Sequence, residues 1–167
     1  MNSFLESIIN RDPAAKSKIS VILTYPGVKA VFFHRVANFF STAKFVAKPG
    51  DTNEVLKIVK AANSMGFGVV PFSGGSGLVG GQIATQGQPL LLSLEKLNKY
   101  RDFDPISGII TVESGMVLSE VKNLSQNFGR QFPLSLASQG SCMIGGNLAT
   151  NAGGVNVLKY GNTRDLC

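Results

Sequence analysis

The sequence predicts an α+β domain behind a short helical segment, and three observations carry that prediction. Short apolar runs separated by turn residues recur from residue 45 onward. Two stretches among them carry apolar residues at helical spacing, and most of the 19 glycines fall between Gly66 and Gly161. With 167 residues, 44% hydrophobic and 16% charged, the chain has the material for one packed core and not the composition of a disordered tail.

Taken in order, the first forty residues read as helix. Asp12-Pro13 is an N-cap with proline at the first helical position, Ile19, Ile22 and Leu23 follow at helical spacing, and Tyr25-Pro26-Gly27 breaks the run. A second helix from about 28 to 40 carries Val31, Phe32, Val36, Phe39 and Phe40 on a broad apolar face. Residues 1–41 are therefore set apart as a helical segment, and 42–167 as a second unit.

The texture changes at Lys44. Phe45-Val46-Ala47 reads as a strand stopped by Lys48-Pro49-Gly50. Asp51 with Glu54 resembles a capping box, Val55, Ile58, Val59 and Ala62 give the next helix one apolar stripe, and Gly66 ends it. Val69-Val70-Pro71-Phe72 is expected to be a buried strand, and Leu90-Leu91-Leu92 another. Tyr100 to Phe103 and Ile109 to Val112 pair across the turn Asp104-Pro105-Ile106-Ser107-Gly108. Val117 to Phe128 reads as a helix with Leu118, Val121, Leu124 and Phe128 facing inward.

The formal charge of +6 is unevenly placed. Residues 1–60 hold nine Lys or Arg against four Asp or Glu, and residues 61–167 hold seven against six. There is no dense basic block and no interleaved aromatic platform, which argues against nucleic-acid binding. Cys142 and Cys167 have no metal-ligand spacing, so neither a zinc site nor a disulfide framework is expected, and Cys142 reads as a buried small residue. No apolar run approaches the ~20 residues that span a bilayer, and no signal sequence opens the chain, so a reducing, cytoplasmic setting is the expectation. The one histidine, His34, reads as an exposed or capping side chain, and no catalytic residue is assigned.

Residues 71–81 read Pro-Phe-Ser-Gly-Gly-Ser-Gly-Leu-Val-Gly-Gly directly after a strand. Dense glycine there lets several backbone N–H groups point into one cavity, which suits phosphate. Gly75, Gly77 and Gly80 satisfy G-x-G-x-x-G, with Glu95 at the ribose-contact spacing. A Rossmann loop is nevertheless rejected, because Gly81 to Pro89 leaves no helix to open from the glycines. A P-loop is rejected because no Gly-Lys-Ser/Thr follows. A second stretch, Ser138 to Gly154, again combines bare backbone with small hydroxyl and amide side chains, and the two could enclose one long polar cofactor. The competing reading is a glycine-rich hairpin that holds nothing.

These motifs together resemble the PCMH-type FAD-binding domain of the vanillyl-alcohol oxidase superfamily, in its D-lactate, glycolate and D-2-hydroxyglutarate dehydrogenase group. The likeness rests on Lys48-Pro49, Pro71 with Ser73 to Gly81, Glu113-Ser114-Gly115, Pro133-Leu134, Gly140-Ser141-Cys142, Ile144-Gly145-Gly146-Asn147, Thr150 to Gly154 and Tyr160-Gly161. It implies that Pro71, Ser73, Gly74, Gly75, Ser76, Gly77, Leu78, Gly80, Gly81 and Gln82 lie about the FAD pyrophosphate. It places Gly115, Pro133, Gly140, Ser141, Gly145, Gly146, Asn147, Thr150, Asn151 and Gly154 along the flavin and its ribityl chain. Relatives with covalent FAD often carry a histidine in the first loop; this loop has none, so FAD is expected to be noncovalent. The resemblance further implies oxidation of a D-2-hydroxy acid to the 2-keto acid by hydride transfer to the flavin. Most catalytic and substrate-binding groups of the family sit in a cap domain that the sequence does not contain. The chain is therefore expected to be an incomplete FAD domain, truncated at its C-terminus, that does not act on a hydroxy acid alone.

A second resemblance covers residues 5–40. Arg11 to Ala15, Tyr25-Pro26-Gly27, Ala30, His34-Arg35 and Ala37 are similar to the N-terminal helices of serine O-acetyltransferase. It implies homo-oligomer assembly through those helices. The alternative to an oxidoreductase piece is thus an oligomerisation fragment, or a fused remnant of two unrelated genes.

Overall fold

The computed structural model describes residues 45–83, 87 and 89–167. The helices expected within residues 1–41 lie outside them. The described residues form an α+β arrangement.

Three short strands make a parallel sheet. Strand β1 (Phe45–Ala47) leads into helix α1 (Thr52–Ser64), β2 (Val69–Phe72) follows, and β3 (Leu90–Ser93) inserts between the two to give the order β1-β3-β2. Leu90 is the register partner of both Phe45 and Val69. Flanked on both sides, β3 holds the most buried positions of the sheet, Leu92 and Ser93. The expectation of a buried strand at Val69–Phe72 is corrected: β2 pairs on one side only, Pro71 is exposed, and no residue of the strand is fully buried. Proline has no N–H to give to a second neighbour, so an edge is where such a strand belongs.

Helix α1 starts where the Asp51 side chain accepts the Glu54 N–H at 2.8 Å. The reciprocal half of the expected capping box is displaced by one residue, because the Glu54 carboxylate accepts from Gly50 N–H at 2.7 Å. At the other end Gly66 takes φ +71°, with Gly66 N–H bonded to the Asn63 carbonyl and Phe67 N–H to that of Ala62, the Schellman pattern. Of the apolar stripe Ala62 is buried, Val55 and Ile58 are half-buried, and Val59 remains exposed.

A hairpin follows, β4 (Tyr100–Asp104) antiparallel to β5 (Ile109–Val112), with a bulge between Tyr100 and Asp102. The bulged residue, Arg101, forms an ion pair with Glu113. The turn is fixed by the Asp104 carboxylate, which accepts from Ile106 N–H at 2.9 Å and from Ser107 Oγ at 2.6 Å. Those two bonds hold the Asp104 carboxyl below its ordinary range, the Ser107 bond having the larger effect.

Helix α2 (Leu118–Asn127) starts one residue later than expected, with Val117 as its cap. Leu118 and Val121 are fully inward and Leu124 is half-buried, as the spacing requires. The expectation that Phe128 faces inward is corrected: as the C-cap it lies past the helix's last turn, is exposed, and stacks on Phe103 with ring centroids 4.2 Å apart. Two small cores flank α2. One gathers Met116, Val121 and Ile144, the other Leu118, Leu134 and Cys142, and Phe132 packs against both. Burial of each such aliphatic side chain contributes about 1.5–3 kcal/mol.

The chain ends in two short helices, α3 (Ile144–Ala149) and α4 (Val157–Tyr160), and a 3₁₀ turn, Thr163–Leu166. That turn serves α3: Arg164 donates to the carbonyls of Leu148 and Ala149, and its own N–H is accepted by Asn151 Oδ1. Thr163, fully buried, donates through Oγ1 to the Ala152 carbonyl at 2.7 Å. Among the described residues no helix is long and apolar enough to cross a membrane, and no cluster of His, Cys, Asp or Glu could hold a metal ion.

Candidate functional site

The glycine loop leaves β2 at Phe72 and is closed from within. Gln82 Nε2 donates to the Gly77 carbonyl at 2.9 Å, and Ile83 N–H to that of Gly80. Its tip, Leu78 and Val79, is exposed, while Ser73 to Gly77 are half-buried.

The second cluster packs against Ser73 and Gly74. A Cβ at Gly74 would fall on the Ser141 carbonyl oxygen and 2.9 Å from Cys142 Cα. A Cβ at Gly146 would stand 2.8 Å from Ser73 Oγ. The two glycine-rich stretches, more than sixty positions apart in sequence, therefore meet along one seam, backbone to backbone at Gly74 and through the Ser73 side chain at Gly146.

The same seam explains how α3 forms from a sequence with two adjacent glycines. Its first N–H groups, which no helix can satisfy internally, donate to the neighbouring chain: Ile144 to the Met116 carbonyl at 3.0 Å and Gly145 to that of Ser114 at 2.8 Å. Tertiary bonds replace the propensity that glycine lacks. Upstream, Gly115 N–H donates to the Leu97 carbonyl at 2.7 Å, and the adjacent Glu113 carboxylate accepts Lys99 N–H at 2.8 Å and the Arg101 guanidinium. The Lys99 bond first, and then Arg101, holds the Glu113 carboxyl low against the opposing effect of desolvation.

Of the residues expected to bind cofactor, the structure brings Ser73, Gly74, Ser141 and Gly146 to one seam, with Gly145 and Gly115 packed behind it on Ser114 and Leu94. Asn147 is buried with its amide nitrogen 3.5 Å from Cys142 Sγ. Thr150 donates to the Gly146 carbonyl, Asn151 takes φ +50° and bonds Arg164, and Gly154 packs on Ser135. The Pro133 carbonyl accepts from Asn156 Nδ2 at 2.9 Å. Gly81 and Gly140 face open space. Sequence reasoning did not anticipate the supporting roles of Ser114, Ser135, Asn156 and Arg164, since polar residues in irregular backbone leave no periodic trace.

One atom stands out at this seam. Ser73 Oγ is buried and has no hydrogen-bond partner, and no other described residue has such a side-chain atom. A buried hydroxyl in that state costs about 1–3 kcal/mol, so it belongs where a ligand or a movement supplies the missing bond.

Residues 43–167 match the family described as FAD binding domain. The chain belongs to that family. This FAD-binding domain is 48% identical over 120 residues to the D-2-hydroxyglutarate dehydrogenase of Xanthomonas citri pv. viticola, covering 72% of the chain and 25% of that protein. It is 38% identical over 120 residues to the D-2-hydroxyglutarate–pyruvate transhydrogenase of Saccharomyces cerevisiae, covering 72% of the chain and 24% of that protein. It thus spans about a quarter of the length of these relatives. Among solved structures, an alkyldihydroxyacetonephosphate synthase superposes with a TM-score of 0.67 at 23% identity, over 72% of the chain and 24% of that structure, which speaks for the fold. The resemblance of residues 5–40 to serine O-acetyltransferase lies outside both the described residues and the matched range.

Proposed function

We propose that this chain is the FAD-holding portion of a flavin-dependent dehydrogenase that oxidises a D-2-hydroxy acid of the lactate or 2-hydroxyglutarate type, in a reducing, cytoplasmic setting. The observation that carries the reading is the seam itself: two glycine-rich stretches packed together, one of them following a strand, with a buried hydroxyl lacking its bond. A glycine-rich hairpin that holds nothing has no need of a second stretch against it.

In this reading the backbone of Ser73 to Gly77 with Gly80, Gly81 and Gln82 faces the pyrophosphate, beside Pro71 and Leu78. Gly115, Pro133, Gly140, Ser141, Gly145, Gly146, Asn147, Thr150, Asn151 and Gly154 shape the wall along the flavin. The protein's part is positioning: the Gly77–Gln82 bond closes the loop on itself, and the Arg164 bonds fix the end of α3. Bound FAD would supply the acceptor for the hydride released as the hydroxyl carbon becomes a keto carbon. With no histidine in the loop, FAD is held noncovalently. The hydroxy acid, and turnover, require groups beyond those of this chain.

The test is titration of the 167-residue chain with FAD, followed by flavin fluorescence, and then acid precipitation of the protein. Saturable binding with all flavin released into the supernatant is expected. Failure to bind at any attainable concentration refutes the reading, and flavin retained on the precipitate refutes the noncovalent part.

A further inference from the structure

We infer that Ser73 is a positioning residue that couples cofactor binding to the opening of the seam between the glycine loop and α3. The inference rests on the flavin reading above and adds a function that a passive loop residue lacks.

The Ser73 oxygen is buried and unpaired. It faces Gly146 so closely that a Cβ there would stand 2.8 Å from the oxygen and 3.0 Å from the serine Cβ. The neighbouring residue, Gly74, is pressed onto Ser141 and Cys142, so the seam is shut along at least two successive loop residues.

A shut seam that strands a hydroxyl is less stable than the same seam without that hydroxyl, and parting it gives the hydroxyl a partner. Water can be that partner in the free chain, and an acceptor oxygen of the bound dinucleotide in the complex. Ser73 therefore acts with opposite sign on the two forms: it weakens the closed, ligand-free packing and strengthens binding. A residue that simply supported the loop would strengthen both.

The experiment uses the full 167-residue chain with Ser73→Ala, and Ser73→Gly as a second variant that also removes the Cβ. Melting temperature without ligand and FAD affinity by fluorescence titration are both measured. Ser73→Ala is expected to raise the ligand-free melting temperature by about 2–8 °C and to weaken FAD binding about tenfold. Ser73→Gly is expected to weaken binding similarly, and it carries the test should the alanine variant fail to fold. Affinity in both variants within twofold of the parent chain overturns the inference and leaves the flavin reading intact. Melting temperature and affinity falling together make Ser73 plain scaffolding and also overturn it. A parent chain that does not bind FAD overturns the flavin reading, and the inference with it.

Discussion

Gly74→Ala tests whether the two glycine stretches meet as described. The added methyl would overlap the Ser141 carbonyl oxygen and stand 2.9 Å from both Cys142 Cα and Ser141 C. None of these atoms can give way cheaply. Ser141 N–H and Cys142 N–H both donate to the Ser138 carbonyl at 2.8 Å, and the Cys142 carbonyl accepts Leu118 N–H at 2.9 Å, at the start of α2. Overpacking against side chains costs about 1–3 kcal/mol. Here the obstacle is hydrogen-bonded backbone, so about one bond's worth, ~1 kcal/mol, is added. The expected cost is about 2–4 kcal/mol, a large share of the 5–15 kcal/mol typical of a whole domain. Gly81→Ala is the control within the same loop, since a Cβ there meets nothing within 4 Å, and its effect should stay within about 1 kcal/mol. Urea unfolding followed by far-ultraviolet circular dichroism measures both. Gly74→Ala within about 1 kcal/mol of the parent chain, or equal costs for the two variants, would refute the packed seam.

Three further outcomes are expected. Leu118→Ala, at a fully buried position between Leu134 and Cys142, should cost about 3–4 kcal/mol in the same unfolding assay. Gly66→Ala should cost about 1 kcal/mol through backbone strain alone, because φ is +71° and nothing lies within 4 Å of a Cβ there. Asp104 and Glu113 are both held low in the folded chain, so their contribution is present above the ordinary carboxylate range and is lost as pH falls through and below about 4. The stability gap between the parent chain and Glu113→Gln at neutral pH should therefore close on acidification, and unfolding midpoints measured from pH 7 downward check it.

Much of the fold is legible in the sequence because its determinants are local. Asp51 and Gly66 mark both ends of α1, and Asp104 to Gly108 fix the hairpin turn by bonds within five residues. The edge position of β2 was also legible in principle, since a proline inside a strand signals it; hydrophobicity alone pointed instead to burial. Helix α3 was not legible, because Ile-Gly-Gly-Asn-Leu-Ala has poor helix propensity and its first turn is completed by carbonyls about thirty residues upstream. For the candidate site, composition singled out both glycine stretches. It did not show that Ser73 and Gly74 are the points of closure, since that depends on which backbone comes to lie opposite. Nor does the sequence show whether the Asn151 and Asn156 side chains face a ligand or, as here, backbone 13 and 23 residues away.

The strand order β1-β3-β2 also sets a sequence of events during synthesis. β1 and β2 leave the ribosome first, joined by α1, yet they make no ladder with each other. Both wait for Leu90–Ser93, which must be threaded between them before either finds its hydrogen-bonding neighbour. Until then the nascent chain carries two unpaired apolar strands. The closure that ends this interval joins residues some 45 positions apart, a loop cost of a few kcal/mol that no turn in between offsets. Slow emergence of residues 90–93 from the ribosome would prolong that exposed state, in which a chaperone can act.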